Sequence, residues 1–110
     1  MASKFEIFYG SNSQYYFRLK AANGEKILAS EGYTTKQNCK NGITAVKVCS
    51  PHDSNYERLI ARNGQYYFNL KSTNGQVIGV SETYTTAAAR ENGILSVKVN
   101  APGAPVVDLT

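Results

Sequence analysis

Twenty-two residues of this chain are written twice. QYYFRLKAANGEKILASEGYTT, residues 14–35, returns as QYYFNLKSTNGQVIGVSETYTT, residues 65–86, about fifty residues on and without a gap. The match continues through NGI (41–43 and 92–94) and VKV (46–48 and 97–99) and stops at Pro51 and Pro102. Self-similarity at such a period marks a duplicated structural unit. A unit of roughly 50–60 residues with neither disulfide nor metal buries too little apolar surface to be comfortably stable alone. The 110 residues therefore predict one domain, with repeats at 4–53 and 54–110 sharing one core and one sheet about a pseudo-two-fold axis.

Each repeat reads in the same order. Lys4–Tyr9 is rich in Phe, Ile and Tyr and is β-prone. Residues 14–21 alternate, with Tyr15, Phe17 and Leu19 on one face and Tyr16, Arg18 and Lys20 on the other. Asn23-Gly24 reads as a two-residue I′ hairpin turn, and residues 26–30 as the return strand. A helix follows, capped by Thr34 or Thr35, with Gln37 in capping-box spacing from Thr34. Cys39, Ile43 and Val46 form its buried stripe, and Pro51 stops it. Gly42, repeated as Gly93, predicts close approach of the helix to the sheet or to its twin. In repeat 2, Asn74-Gly75 is the turn, and residues 86–99 are the helix. Residues 55–61 (NYERLIA) read as a strand that can both open repeat 2 and close repeat 1, and residues 105–110 as a terminal strand. The sum is α+β, an antiparallel sheet with both helices on one face.

The composition excludes more than it proposes. Cys39 and Cys49 lie ten residues apart on the expected helix, about 15 Å along its axis and beyond a disulfide. With His52 the only histidine, at least one of them reads as a small buried side chain, and no metal or other cofactor is expected. The first ten residues lack a signal-peptide core, and no apolar run reaches membrane-spanning length, so a cytoplasmic chain with no membrane role is expected. The net charge of +4 permits an anionic partner without demanding one.

Two groups of residues could carry function. Ser30, Glu31, Tyr33, Thr34 and Thr35, repeated as Ser81, Glu82, Tyr84, Thr85 and Thr86, could hold an anion at a helix N-terminus; helix capping and Tyr packing explain them as well. The outward residues Tyr16, Arg18 and Lys20, with Tyr67, Asn69 and Lys71, make an aromatic and basic sheet face of the kind that stacks bases and meets phosphates. Glu6 and Glu57, or Glu31 and Glu82, could pair as acid and base, but symmetry opposes the unlike environments such a pair needs. No nucleophile, phosphate-loop or metal motif is present, and no catalytic residue is expected.

With the repeats aligned, the chain resembles the YegP-like family of small uncharacterised bacterial proteins. The resemblance rests on F-x-I at 5–7, YYFRLKAANGEKI at 15–27, S-E-x-Y at 30–33 and NGI-x-x-VK at 41–47, with their second copies at 66–78, 81–84 and 92–98. It implies tandem β3-α-β units in one sheet with exchanged C-terminal strands, so that residues 55–61 and 105–110 each close the sheet of the other half. It brings no activity. The expectation is a non-enzymatic binding or protein-interaction module, a monomer with internal pseudo-two-fold symmetry, its partner a protein or an anionic ligand such as nucleic acid.

Overall fold

The computed structural model describes residues 3–110. Repeat 1 forms β1 (Lys4–Tyr9), β2 (Tyr15–Lys20), β3 (Lys26–Ala29) and α1 (Lys36–Cys49). Repeat 2 forms β4 (Tyr56–Ile60), β5 (Tyr66–Lys71), β6 (Val77–Val80) and α2 (Ala87–Asn100), and β7 (Val106–Asp108) ends the chain. The seven strands make one sheet in the order β4-β5-β6-β3-β2-β1-β7. The two repeats meet at the β3–β6 pair, where Ala29 faces Val80.

The sheet is mixed rather than wholly antiparallel, because β7 runs parallel to β1. A strand reached through a helix from the far repeat is free of the hairpin constraint that makes its neighbours antiparallel. Phe5 N–H donates to Pro105 O at 2.8 Å, and Leu109 N–H donates to Ile7 O at 2.9 Å. Strand exchange therefore runs in one direction. Residues 55–61 do not close the sheet of the other half: β4 pairs with β5 of its own repeat, and it stands at the end of the strand order. The physical reason is chain length. Between α1 and β4 lie only a few residues, occupied by the 3-10 turn Asp53–Asn55, so repeat 1 has no tail to offer.

The period-2 pattern of β2 and β5 sends Phe17, Leu19, Phe68 and Leu70 into the core, all fully buried. Each such side chain contributes about 1.5–3 kcal/mol of transfer free energy. Cys39, Ile43 and Val46 of α1 and Ile94 and Val97 of α2 cover them. Cys39 and Cys49 are buried free thiols, and burial pushes that of Cys39 up to about 11. Gly42 lies against the Tyr33 hydroxyl and Phe17, and Gly93 against the Tyr84 hydroxyl, so a Cβ at either place collides. The close approach is to the sheet side.

Two local expectations are corrected. Thr35, not Thr34, caps α1: its backbone is extended and its hydroxyl accepts from Asn38 N–H at 3.1 Å, so no capping box forms with Gln37. Thr86 does the same for Ala89 N–H at 3.0 Å. The hairpins are not I′ turns, since of Asn23 and Gly24 only Gly24 has positive φ (+86°). Gly24 N–H donates to Ala21 O and Ala21 N–H to Glu25 O, a type I turn followed by a left-handed residue and a bulge. The register shift beside Leu19 lets consecutive Ile27 and Leu28 both be buried.

Candidate functional site

The sheet face away from the helices carries the residues singled out from the sequence. One register row crosses all seven strands there: Glu57, Asn69, Val80, Ala29, Arg18, Glu6, Val107. Tyr16, Arg18 and Lys20 stand on this face with Tyr67, Asn69 and Lys71, but as two groups separated by β3 and β6. All six are half-buried.

Glu6 organises the repeat 1 group. The β1–β2 register sets it opposite Arg18, with Lys4 opposite Lys20 on the same face. Arg18 Nε donates to Glu6 Oε1 at 2.8 Å, while Lys4 and Lys20 stand 3.3 and 3.4 Å from its carboxylate. The hydrogen bond from Arg18, helped by Lys4 and Lys20, outweighs burial and holds the Glu6 carboxyl at about 2. The Arg18 guanidinium also lies over the Phe8 ring, 4.5 Å from its centroid. Phe8 in turn stacks on Tyr16 at 5.6 Å and 15°, and the Tyr16 hydroxyl accepts from Asn12 Nδ2 at 2.7 Å. The basic and aromatic side chains are therefore committed to one another rather than extended into solvent.

Repeat 2 keeps the frame and loosens the contacts. Glu57 faces Asn69 where Glu6 faces Arg18. Asn69 Nδ2 donates to Glu57 at 3.3 Å, and Lys71 stands 3.3 Å from the same carboxylate. Asn69 Oδ1 is buried and has no hydrogen-bond partner among the described residues. The sequence pattern of single strands places all these residues outward but conceals Glu6 as the hub. The signal lies in the turn: once residues 10–14 close a hairpin, Glu6 must oppose Arg18.

The repeated SE-x-YTT segment is built mainly for structure. Ser30 Oγ accepts from Phe17 N–H at 2.9 Å and donates to Glu31 O, and Ser81 repeats both bonds with Phe68 and Glu82. Tyr33 stacks on Phe17 at 6.3 Å, and Tyr84 on Phe68 at 6.5 Å. Burial raises both phenols above their ordinary range. The carboxylates are exposed, as are the threonines beside them, and they stand in two clefts that the sequence did not reveal because each is lined by both repeats. Glu82, Thr83 and Tyr84 meet Glu25, Lys26 and Ile27 around about 450 Å³, with Lys26 3.1 Å from Glu82. Glu31, Gly32 and Tyr33 meet Gln76, Val77 and Ile78 around about 340 Å³. Glu31 and Glu82 thus stand in different clefts and do not pair.

Comparison with known proteins agrees with this architecture. The family model described as a domain of unknown function, DUF1508, matches twice, at residues 11–57 and 61–108. The UPF0339 protein YegP of Escherichia coli K12 is 49% identical over 110 residues, covering 100% of both chains. A UPF0339 protein of Bordetella pertussis is 51% identical over 108 residues, 98% of this chain and 97% of its own. The solution NMR structure of E. coli yegP, a protein of unknown function, superposes with a TM-score of 0.94 at 49% identity, covering 100% of this chain and 95% of that one. That of a UPF0339 protein from Shewanella oneidensis gives 0.93 at 46% identity, covering 100% and 93%. Two matched repeats, full-length identity near one half and a common fold place this chain in the DUF1508 family, among the UPF0339 proteins of unknown function.

Proposed function

We propose that the protein is a non-enzymatic, monomeric interaction module of the cytoplasm that receives an extended segment of a partner protein along the outer edge of β4. The observation that carries this reading is the unequal treatment of two equivalent edges. β1 and β4 open their repeats in the same way, and β7 covers β1, yet β4 ends the strand order. Ala61 N–H donates to Gln65 O, so by antiparallel alternation Arg58 and Ile60 direct their backbone groups outward. Those residues match Ile7 and Tyr9, and Ile7 O is one of the groups that holds β7. Ile60 and Leu95 are exposed large apolar residues beside this edge. An edge with free backbone groups and adjacent apolar side chains is what strand addition uses.

A proline on an edge strand is tolerated where its N–H points outward, so Ile60→Pro removes a docking donor and spares the β4–β5 ladder. A photo-crosslinking residue at Leu95 is expected to form a discrete adduct in cells, and Ile60→Pro to abolish it. No adduct, or one indifferent to the proline, overturns the reading.

A second reading, an anionic polymer on the repeat 1 half of the bare face, is favoured by one observation. Lys4, Arg18 and Lys20 converge on the single carboxylate of Glu6 and leave a positive surplus there. Single-stranded DNA or RNA binding that strengthens at low salt and is lost in Arg18→Glu supports it; undetectable binding at low salt removes it.

A further inference from the structure

We propose that the groove between α1 and the β1–β7 pair binds a small amphipathic anion, a carboxylate carried on a short aliphatic chain. The groove holds about 320 Å³ and is lined by Ile7, Ile43, Thr44 and Val106, with Lys40, Lys47 and Asp108 around them. Ile7 and Ile43 are buried and form an apolar floor. An apolar hollow of this size with a few charged groups at its rim is the ordinary form of a small-ligand site.

The charge at the rim selects the ligand. Lys40 and Lys47 lie seven residues apart, two helical turns, and so share one side of α1. Neither forms an ion pair among the described residues, and Lys47 Nζ stands 5.8 Å from the centre of the Phe5 ring. The one carboxylate facing the groove is already engaged: Asp108 accepts from Lys36 Nζ at 3.0 Å and from Thr110 N–H at 2.9 Å. Those bonds, led by Thr110, hold it well below the ordinary carboxylate range. Two uncompensated ammonium groups over an apolar floor suit an aliphatic carboxylate, its chain on Ile7, Ile43 and Val106 and its head on Lys40 and Lys47.

Repeat 2 shows that the fold does not require such a groove. Arg58 replaces Ile7, Glu91 replaces Lys40, Leu95 replaces Thr44, and Lys98 matches Lys47. There the equivalent space is crossed by ion pairs: Arg58 to Glu91 at 2.9 Å, Arg58 to Asp53 at 3.0 Å and Lys98 to Asp53 at 2.7 Å. The same strand and helix thus carry a neutralised face in repeat 2, where no outer strand closes a groove, and an open basic groove in repeat 1.

The test is a titration of the full chain with octanoate at low ionic strength, followed by amide chemical shifts and calorimetry, with octanol and acetate as the uncharged and tail-less controls. Octanoate is expected to saturate and to shift the amides of residues 40–47 and 106–108. Each control is expected to bind at least about tenfold more weakly. Lys40→Glu and Thr44→Leu, both at exposed helix positions, install the repeat 2 side chains and are each expected to weaken octanoate about tenfold. Absence of saturable shifts in the groove, octanol binding as tightly as octanoate, or unchanged affinity in Lys40→Glu overturns the proposal.

Discussion

The β1 edge and the β4 edge start from the same repeat and end in different surroundings, and their side chains follow the surroundings. β1 is flanked on both sides, so Ile7 is fully buried; β4 is flanked on one, and Arg58 stands in the same position. A charge is tolerated on an open edge, where solvent and ion-pair partners reach it, whereas a charge between two strands and a helix is costly. The carboxylates diverge in parallel. Glu6 is 5% exposed and tied to three cations. The Glu57 side chain is 41% exposed, with one cation and one amide beside it. A duplicated sequence keeps what both copies need, namely turns, caps and strand faces, and departs where the copies meet unlike neighbours.

The sharpest departure is at the pseudo-axis, and altering it has the largest expected effect. Leu28 is fully buried, and its counterpart is Gly79, where an added Cβ would stand 2.6 Å from Leu28 Cδ2. One leucine fills a space that symmetry would assign to two. Leu28→Gly is expected to cost about 3–5 kcal/mol through the cavity it leaves, and Gly79→Leu about 1–3 kcal/mol through overpacking. Exchanging the two should recover at least half of the summed loss in urea unfolding. A double variant as unstable as the sum of the singles denies that the site is shared.

Removing residues 103–110 tests the edge comparison itself. β7 is short and its side chains are exposed, yet it shields Phe5 and Ile7 and brings in the buried Ala104. Its loss is expected to cost about 3 kcal/mol, chiefly from newly exposed apolar surface on β1. An unchanged melting temperature would show that β1 tolerates the bare state of β4 despite carrying isoleucine there.

The two carboxylates come next. Glu6→Gln leaves three cations converging on a neutral amide and is expected to cost about 2 kcal/mol at neutral pH; Glu57→Gln, at a more open pair, less than about 0.5 kcal/mol. Glu6 has its folded pKa depressed from 4.5 to about 2, so its contribution is complete above pH 4.5 and is lost as pH falls towards 2. Asp53, Glu91 and Asp108 are held low as well by their hydrogen-bonded partners, but at the surface, where solvent screens them. The gap between wild type and Glu6→Gln should therefore close between those two pH values, and a gap that persists at pH 2 argues against a charge-based role.

How much of this was legible follows from the range of each signal. Alternation at Tyr15, Phe17 and Leu19, the threonine cap and the stop at Pro51 are local, and all are present in the structure. The duplication, read with the instability of a half-sized unit, indicated one sheet. What escaped depends on pairing. Asn-Gly suits both a I′ turn and a type I turn with a bulge, and only the backbone of Asn23 distinguishes them. Tyr16, Arg18 and Lys20 share one face, as alternation requires, but what they touch there is decided by β1. The direction of β7 and the bare edge of β4 depend on how much chain follows each helix and where it can reach, and no local pattern of strand or helix records that. Of the candidate site, the sequence disclosed side-chain orientation and withheld the contacts.

The smallest expected effect reads the same comparison in one residue. The turn after β1 places Ser13 at φ +65°, and the equivalent turn after β4 places Gly64 at +82°. Both turns carry the same bonds, Gly10 N–H to Gln14 O and Ala61 N–H to Gln65 O. A left-handed residue with a Cβ costs about 1–2 kcal/mol, part of which a glycine gives back as unfolded-chain entropy. Ser13→Gly is therefore expected to stabilise by about 0.5–1 kcal/mol, and Gly64→Ser to destabilise by a similar amount. If both changes destabilise, Ser13 is held by something its twin lacks, and the turns are not equivalent; if they move in opposite directions by equal amounts, the two repeats fold this corner by the same rule and differ only in how well each residue obeys it.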